Sequence, residues 1–91
     1  MFYTYVLKSK KSDDLYIGYT SDLKRRLIEH NQGLNFSTKN NIPWEIIYYE
    51  ACIKQSDAKR REIYLKTTQG GRMLKIRLKD YLKNMSRKNL T

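Results

Sequence analysis

Residues 15–31, LYIGYTSDLKRRLIEHN, join a β-forming run to the start of a helix. The run Leu15–Tyr19 is rich in aromatic and β-branched residues and predicts a strand, in which Gly18 allows close approach of backbone or ligand. Ser21 and Asp22 can each accept a backbone N–H at a helix start, and the apolar spacing that follows is helical. This segment therefore predicts a strand followed directly by a capped helix.

Two other runs of the chain have the composition of strands. Phe2–Lys8 precedes Leu15–Tyr19 across the polar segment Ser9–Asp14, so the first two runs predict a hairpin. Residues 33–43 lack periodicity and predict a loop, and the β-type run Trp44–Ile53 after them predicts a third strand.

Three helices complete the predicted fold. The first covers Leu23–Asn31, and the second is expected to begin at a Ser56 cap and to end near Lys66. The pair Gly70–Gly71 is interpreted as separating it from a third helix at Met73–Leu82. The order β-β-α-β-α-α predicts an α+β domain with a small three-stranded antiparallel sheet flanked by helices.

Length and composition indicate one folded domain. The 91 residues can bury one modest core, and we expect a domain at residues 1–83 and a polar tail at residues 84–91.

No apolar run approaches the roughly 20 residues that cross a bilayer, and no secretory signal pattern is seen, so no membrane association and a cytoplasmic location are expected. The single cysteine, Cys52, excludes a disulfide framework and is expected to be a buried thiol.

The positive charge is concentrated in the C-terminal part of the chain. Residues 54–91 hold twelve basic and three acidic side chains, a net of +9, whereas residues 1–53 hold seven and six, a net of +1. Such a surface favours a polyanionic partner through counterion release. Nucleic acid is the first interpretation, although an anionic membrane or solubility alone would also explain the charge.

Three ionisable residues fall on helix faces that should be buried. Arg26 and His30 project within the sector of Leu23 and Leu27 on the first helix, and Glu62 lies on the apolar stripe of the second. Each has an ordinary explanation: a snorkelling arginine, a core imidazole, and a carboxylate paired with a basic neighbour. Their joint occurrence beside several tyrosines is harder to explain by structure alone.

The order of these segments resembles the GIY-YIG nuclease family. Tyr16–Gly18 matches the second half of the motif that names the family, and Tyr3–Tyr5 stands where the first half is expected, although it lacks that half's Gly and Ile. Residues 21–31 resemble the family's helix, Pro43–Glu50 its third strand, and Ala58–Glu62 the helix with its catalytic glutamate. The resemblance covers nearly the whole chain and is strongest to small standalone bacterial members, whose domain also occurs in the excision-repair incision subunit and in intron-homing endonucleases.

This resemblance implies a metal-dependent endonuclease that hydrolyses phosphodiester bonds in DNA rather than RNA, in repair or in processing of branched or damaged DNA. It implies Mg²⁺ or Mn²⁺ held by Glu62, and a monomer or weak dimer. Arg26 would face the charge of the transition state, and His30 would orient a group or relay a proton. Either Tyr5 or Tyr16 would be the general base, and the sequence leaves that choice open.

The basic residues of the predicted C-terminal helices would hold the nucleic-acid backbone without reading bases. They are Lys59, Arg60, Arg61, Lys66, Arg72, Lys75 and Arg77. One alternative is a non-catalytic DNA- or RNA-binding module on the same fold. Another is a protein-interaction domain that docks through the last helix, although the apolar residues there are more simply core or core-edge residues: Met73, Leu74, Ile76, Leu78 and Leu82.

Overall fold

The computed structural model describes residues 1–83, which form three strands and three main helices. The strands are β1 (Phe2–Ser9), β2 (Leu15–Thr20) and β3 (Trp44–Cys52), and the helices are α1 (Leu23–Asn31), α2 (Gln55–Leu65) and α3 (Thr68–Arg77). A short 3-10 helix covers Lys39–Asn41 within the predicted loop, and residues 79–83 are again helical after a turn at Leu78. The predicted order of elements is confirmed.

The three strands form one antiparallel sheet in the order β2-β1-β3. In the central strand, Tyr5 is paired with Gly18 on β2 and with Tyr49 on β3. The register between β1 and β3 shifts after Val6. This sheet and its helices confirm the predicted α+β class.

One face of the sheet packs against α1. Tyr5 and Leu7 of β1 form a buried cluster with Trp44, and Leu23 and Leu27 of α1 pack against it. The helical spacing had predicted this apolar stripe. Because α1 covers this face, Tyr5 lies between the sheet and α1.

The opposite face packs against α2 and α3. Val6 forms a second buried cluster with Leu65 of α2 and Leu74 of α3, as expected from the alternation of side chains along a strand. Thr4, also on this face, donates a 2.8 Å hydrogen bond to the carbonyl oxygen of Ala58. This bond fixes the start of α2 against the central strand.

Local hydrogen bonds define both ends of α1. Asp22 caps the N-terminus by accepting a hydrogen bond from a backbone N–H of the first turn, as predicted. At the other end Gly33 has a φ of 77°, its N–H bonds to the carbonyl of His30, and the N–H of Leu34 bonds to the carbonyl of Glu29. This is the Schellman arrangement, in which a glycine in the left-handed conformation ends the helix.

Three predicted details of the C-terminal half are wrong. The N-cap of α2 is Lys54, without a side-chain hydrogen bond, so Ser56 lies inside the first turn instead of capping it. Met73 and Ile76 are exposed, because a single stripe of α3 faces the sheet. Cys52 is partly exposed, because it is the last residue of an edge strand.

The interpretation of Gly70 and Gly71 as a separator is also wrong, because both lie in the first turn of α3. The side chain of Thr67 caps this turn by accepting a hydrogen bond from the N–H of Gly70. A Cβ atom at Gly70 would overlap the carbonyl oxygen of Tyr64 and would lie 2.7 Å from the Cα of Leu65. Glycine at position 70 therefore permits the close approach of α3 to the end of α2.

We expect Gly70→Ala to lower the free energy of unfolding by about 2–4 kcal/mol, because backbone must move to admit the methyl group. Gly71→Ala is the matched control, since nothing lies within 4 Å of a Cβ there. It should raise stability by about 0.5–1 kcal/mol through helix propensity. Urea denaturation followed by circular dichroism measures both, and equal effects would contradict the assigned packing.

No helix within residues 1–83 is long and apolar enough to cross a membrane. The polar tail predicted at residues 84–91 lies outside the described residues.

Candidate active site

The ring of Tyr5 lies directly over Gly18 of the neighbouring strand. Tyr5 is almost completely buried, with 2% of its surface exposed. A Cβ atom at position 18 would lie 2.5 Å from Cζ of the Tyr5 ring. The glycine predicted to allow a close approach is therefore the residue that leaves room for this tyrosine.

Tyr5 begins a buried chain of hydrogen bonds. Its hydroxyl lies 2.8 Å from Nε2 of His30, and Nδ1 of His30 lies 2.8 Å from the hydroxyl of Thr38. His30 and Thr38 are both fully buried. The indole N–H of Trp44 donates to the carbonyl oxygen of Thr38 at 2.9 Å and holds that residue in place.

Arg26 adds a positive charge beside this chain. Its guanidinium forms a 3.0 Å ion pair with Glu29 and lies close enough to the Tyr5 hydroxyl to oppose the rise in the pKa of that tyrosine. The tautomer of His30 sets the direction of its hydrogen bond with Tyr5, because a neutral imidazole carries its proton on only one ring nitrogen.

Burial keeps both partners of the Tyr5–His30 pair neutral. It raises the pKa of Tyr5 to about 12; Arg26 opposes this rise, and the charges of Tyr16 and Glu62 add to it. Burial also lowers the pKa of His30 to about 4, with a further contribution from the charge of Arg26. At neutral pH the pair is therefore a phenol and an uncharged imidazole.

The low pKa of His30 makes stability depend on pH. Since this pKa is about 4 in the folded state and about 6.5 in the unfolded chain, the unfolded state takes up the proton first as the pH falls. Stability is fully present above about pH 6.5 and is lost towards pH 4. Between pH 7.5 and pH 5, urea denaturation should show the wild type losing about 2 kcal/mol more than His30→Gln. Identical pH profiles would contradict the buried, neutral imidazole.

Tyr16 lies beside the same pair on the α1 face of the sheet. Its ring centroid is 5.0 Å from that of His30 and 6.3 Å from that of Trp44. The rings of Tyr16 and Tyr5 are 6.4 Å apart. Tyr16 is partly exposed, so it is the member of this aromatic group that water can reach.

Glu62 reaches this group from α2, the helix on the other face of the sheet. Its side chain is 22% exposed and forms a 2.9 Å ion pair with Lys66. Its charge is the smallest of the named contributions to the raised pKa of Tyr5. The structure brings Tyr5, Tyr16, Arg26 and His30 together on one face of the sheet, whereas Glu62 is carried by α2. We call these five residues the tyrosine cluster.

The donor set of the tyrosine cluster suits one kind of metal. Residues 1–83 contain no group of three or more His, Cys, Asp or Glu side chains that could form a protein cage for an ion. A single carboxylate completed by water and substrate phosphate is the arrangement that Mg²⁺ commonly uses. Glu62 fits this requirement for a hard oxygen ligand.

The structure divides the predicted backbone-binding residues. Arg61 and Arg77 lie on the opposite face of the sheet from Tyr5, where both line a cavity of about 370 Å³. Arg61 is held there by Glu50 at 3.0 Å, and Arg77 interacts with the hydroxyl of Tyr48. These two arginines lie on the face of the sheet opposite Tyr5, away from the tyrosine cluster, although Arg77 is exposed and the Arg61 side chain is 40% exposed.

The other five predicted residues are exposed along α2, its C-terminal end and α3: Lys59, Arg60, Lys66, Arg72 and Lys75. Lys66 adjoins the tyrosine cluster through Glu62, and Lys59 lies 5.5 Å from the ring centroid of Tyr19 at the edge of the sheet. Arg60 pairs with Asp57.

Thr38 is a residue of the site that the sequence did not predict. It lies in a loop without hydrophobic periodicity, so no pattern marks it as buried. The residues that precede it, Asn35-Phe36-Ser37, give no local signal of burial either. Its contact with His30 arises only when the loop folds back over α1.

The three-stranded sheet with its helices is a nuclease-type fold, as the match to a family model shows. The family model described as the GIY-YIG catalytic domain matches residues 1–75. The chain belongs to the GIY-YIG family, as its resemblance predicted. This family acts on nucleic acid, and its nucleases generally use a divalent metal.

The chain is similar to small standalone bacterial members that carry the name UPF0213 protein. It is 36% identical to one from Staphylococcus saprophyticus over 75 residues, which cover 81% of this chain and 90% of the relative. A relative from Clostridium perfringens is 32% identical over 77 residues, 84% and 82% of the two chains. One from Streptococcus agalactiae is 40% identical over 65 residues, 70% and 73%. No solved structure gives a significant match.

Proposed function

We propose that the protein is a metal-dependent endonuclease that hydrolyses phosphodiester bonds in DNA. The observation that carries this proposal is the buried hydrogen bond between Tyr5 and His30 over Gly18, with the guanidinium of Arg26 beside the Tyr5 hydroxyl. A protein that only grips phosphates has no need of a partly buried carboxylate, because that charge repels its ligand. A hydrolase needs both charges, one for the phosphate and one for the metal.

Arg26 supplies the electrostatic part of the proposed reaction. Its guanidinium already lies at the Tyr5 hydroxyl and can donate to the phosphate oxygens as negative charge develops on them. The ion pair with Glu29 fixes its orientation in advance. An oriented donor of this kind stabilises the transition state more than a mobile one does.

The two tyrosines take different parts in this proposal. Burial raises the pKa of Tyr5 to about 12, so its hydroxyl keeps its proton at neutral pH and is held in position by His30. The partly exposed Tyr16 can contact the attacking water and is therefore the better candidate for the general base. His30 orients Tyr5 through Nε2 and is itself oriented by Thr38.

Glu62 is the proposed metal ligand. A divalent cation, Mg²⁺ or Mn²⁺, supplies Lewis-acid stabilisation of the phosphate and of the leaving oxygen when it is bound there. In the free protein the ammonium group of Lys66 forms a 2.9 Å ion pair with the Glu62 carboxylate. Because Lys66 is exposed, its side chain can turn towards a phosphate of the substrate instead. The substrate would be branched or damaged DNA, and one site per chain makes one nick.

A non-catalytic nucleic-acid-binding module is the second candidate. The net charge of +10 and the exposed basic side chains of α2 and α3 favour it as strongly as they favour an enzyme. In that case the Glu62–Lys66 pair would be a surface ion pair of little consequence.

Cleavage assays with an arginine variant separate the two functions. Purified protein is incubated with supercoiled plasmid, branched DNA and single strands, each with Mg²⁺, Mn²⁺ or chelator. We expect metal-dependent cleavage that falls about 10²- to 10³-fold in Arg26→Ala. The neighbouring Arg25→Ala on the same helix is the matched control, because that side chain is 60% exposed. Cleavage that survives Arg26→Ala would point to a contaminant or a different site.

A further inference from the structure

The loop between α1 and β3 presents an aromatic side chain to solvent. Phe36 is 83% exposed, and Leu34 beside it is 68% exposed. The ammonium group of Lys39 lies 4.7 Å from the centroid of the Phe36 ring. A phenyl ring with a cation beside it, open to solvent, is suited to a flat and negatively charged ligand.

The exposed ring is carried by an ordered turn. The carbonyl oxygen of Asn35 accepts hydrogen bonds from the N–H groups of Thr38 and Lys39, at 3.2 and 3.0 Å. The side-chain oxygen of Asn35 accepts from the N–H of Ser37 at 2.9 Å. The backbone that carries Phe36 is therefore held in one conformation, which lowers the ordering cost when a ligand covers the ring.

This turn is joined to the tyrosine cluster. Thr38 follows Phe36 by two residues and contacts Nδ1 of His30, whose Nε2 contacts Tyr5. Trp44 fixes the carbonyl of the same threonine. A strand that lies on Phe36 is thus held at a constant distance from the proposed reaction centre.

The β1–β2 turn brings further positive charge to this loop. Lys11 donates from its ammonium group to the carbonyl oxygen of Asn40 at 3.0 Å, and the backbone N–H of Lys10 bonds to the carbonyl of Pro43. The distribution of charge along the sequence had placed the positively charged surface in the C-terminal part of the chain. In the folded chain a second group of lysines lies beside Phe36. We call Leu34, Phe36, Lys39 and Lys11 the Phe36 surface.

We propose that Phe36 stacks on an unpaired base of a DNA strand whose phosphates contact Lys11 and Lys39. This inference rests on the proposed function and names its substrate class: DNA with unpaired bases, as at a flap, gap or branch. Bases inside a duplex already stack on each other, so blunt duplex DNA offers no free face to the ring. The cation beside the ring favours a polyanion over an apolar protein partner.

Equilibrium binding in chelator tests the stacking without any cleavage. Fluorescence anisotropy is measured with a labelled single strand, with an abasic strand of equal length and charge, and with a blunt duplex. We expect Phe36→Ala to weaken binding of the single strand by about 5- to 150-fold and to leave the other two unchanged. Phe36→Tyr should retain single-strand binding, because it keeps the ring. Ile76→Ala, at an apolar residue on α3 that is 70% exposed, is the control and should change nothing.

Several outcomes would overturn the stacking. They are an unchanged single-strand affinity in Phe36→Ala, an equal loss on the abasic strand, or a failure of the wild type to bind any strand. Self-association that is lost in Phe36→Ala, with strand binding intact, would assign the surface to a second copy of the chain. Phe36-dependent binding without cleavage would keep this inference while refuting the enzyme. Cleavage without Phe36-dependent binding would support the enzyme and refute this inference.

Discussion

Gly18→Ala is expected to lower the free energy of unfolding by about 3 kcal/mol or more and to reduce cleavage at least about 100-fold. The added Cβ would lie 2.5 Å from Cζ of Tyr5, and that ring is 2% exposed, so it cannot move aside freely. Displacing the ring breaks the 2.8 Å contact with His30 and removes the hydroxyl from Arg26. One methyl group thus disturbs both the core and the proposed site.

A double-mutant cycle tests whether Tyr5 is the obstacle. In a Tyr5→Ala background the ring is absent, so the same change at Gly18 should cost little further stability. Urea denaturation of the wild type, both single variants and the double variant gives the coupling energy. An equal cost of Gly18→Ala in both backgrounds would show that the glycine serves a purpose other than making room for the tyrosine.

Glu62→Gln is expected to reduce metal-dependent cleavage by about 1,000-fold or more while leaving DNA affinity equal or higher. The amide retains the shape of the side chain but loses the charge that holds a divalent cation. It also removes a negative charge that opposes the phosphates and frees Lys66 from its 2.9 Å ion pair. Plasmid nicking measures cleavage, and filter binding in chelator measures affinity.

Asp57→Asn is the matched control for Glu62→Gln. Asp57 lies on the same helix, is 53% exposed, and pairs only with the exposed Arg60 among the described residues. The control removes the same charge from α2 but should leave cleavage within a few-fold of the wild type. If both variants lose cleavage equally, net charge and not a metal ligand explains the loss.

Local patterns in the sequence predicted the elements that form this site. The aromatic runs of β1 and β2, the Asp22 cap and the apolar stripe of α1 each depend on residues close in sequence. The same spacing placed Arg26 and His30 beside the core, where the structure has them. The apolar stripe of the second predicted helix also singled out Glu62, and the resemblance to the family then assigned roles to Glu62, Tyr5 and Tyr16.

Contacts between distant segments could not be predicted from such patterns. Thr38 meets His30 only because an aperiodic loop folds over α1, and the close approach at Gly70 depends on the packing of α3 on α2. The count of basic residues did not reveal which face of the sheet each one occupies. Arg61 and Arg77, for example, line a cavity on the face opposite Tyr5, and their predicted contact with nucleic acid stays a prediction.

The most direct test is the single-turnover rate of cleavage of a labelled branched DNA at saturating wild-type protein, where affinity no longer affects the rate. With Mg²⁺ or Mn²⁺ present we predict first-order cleavage of the strand, and with chelator none. DNA binding that weakens with salt, accompanied by no cleavage under either metal, would contradict the assignment of Tyr5, Arg26 and Glu62 to a hydrolytic centre.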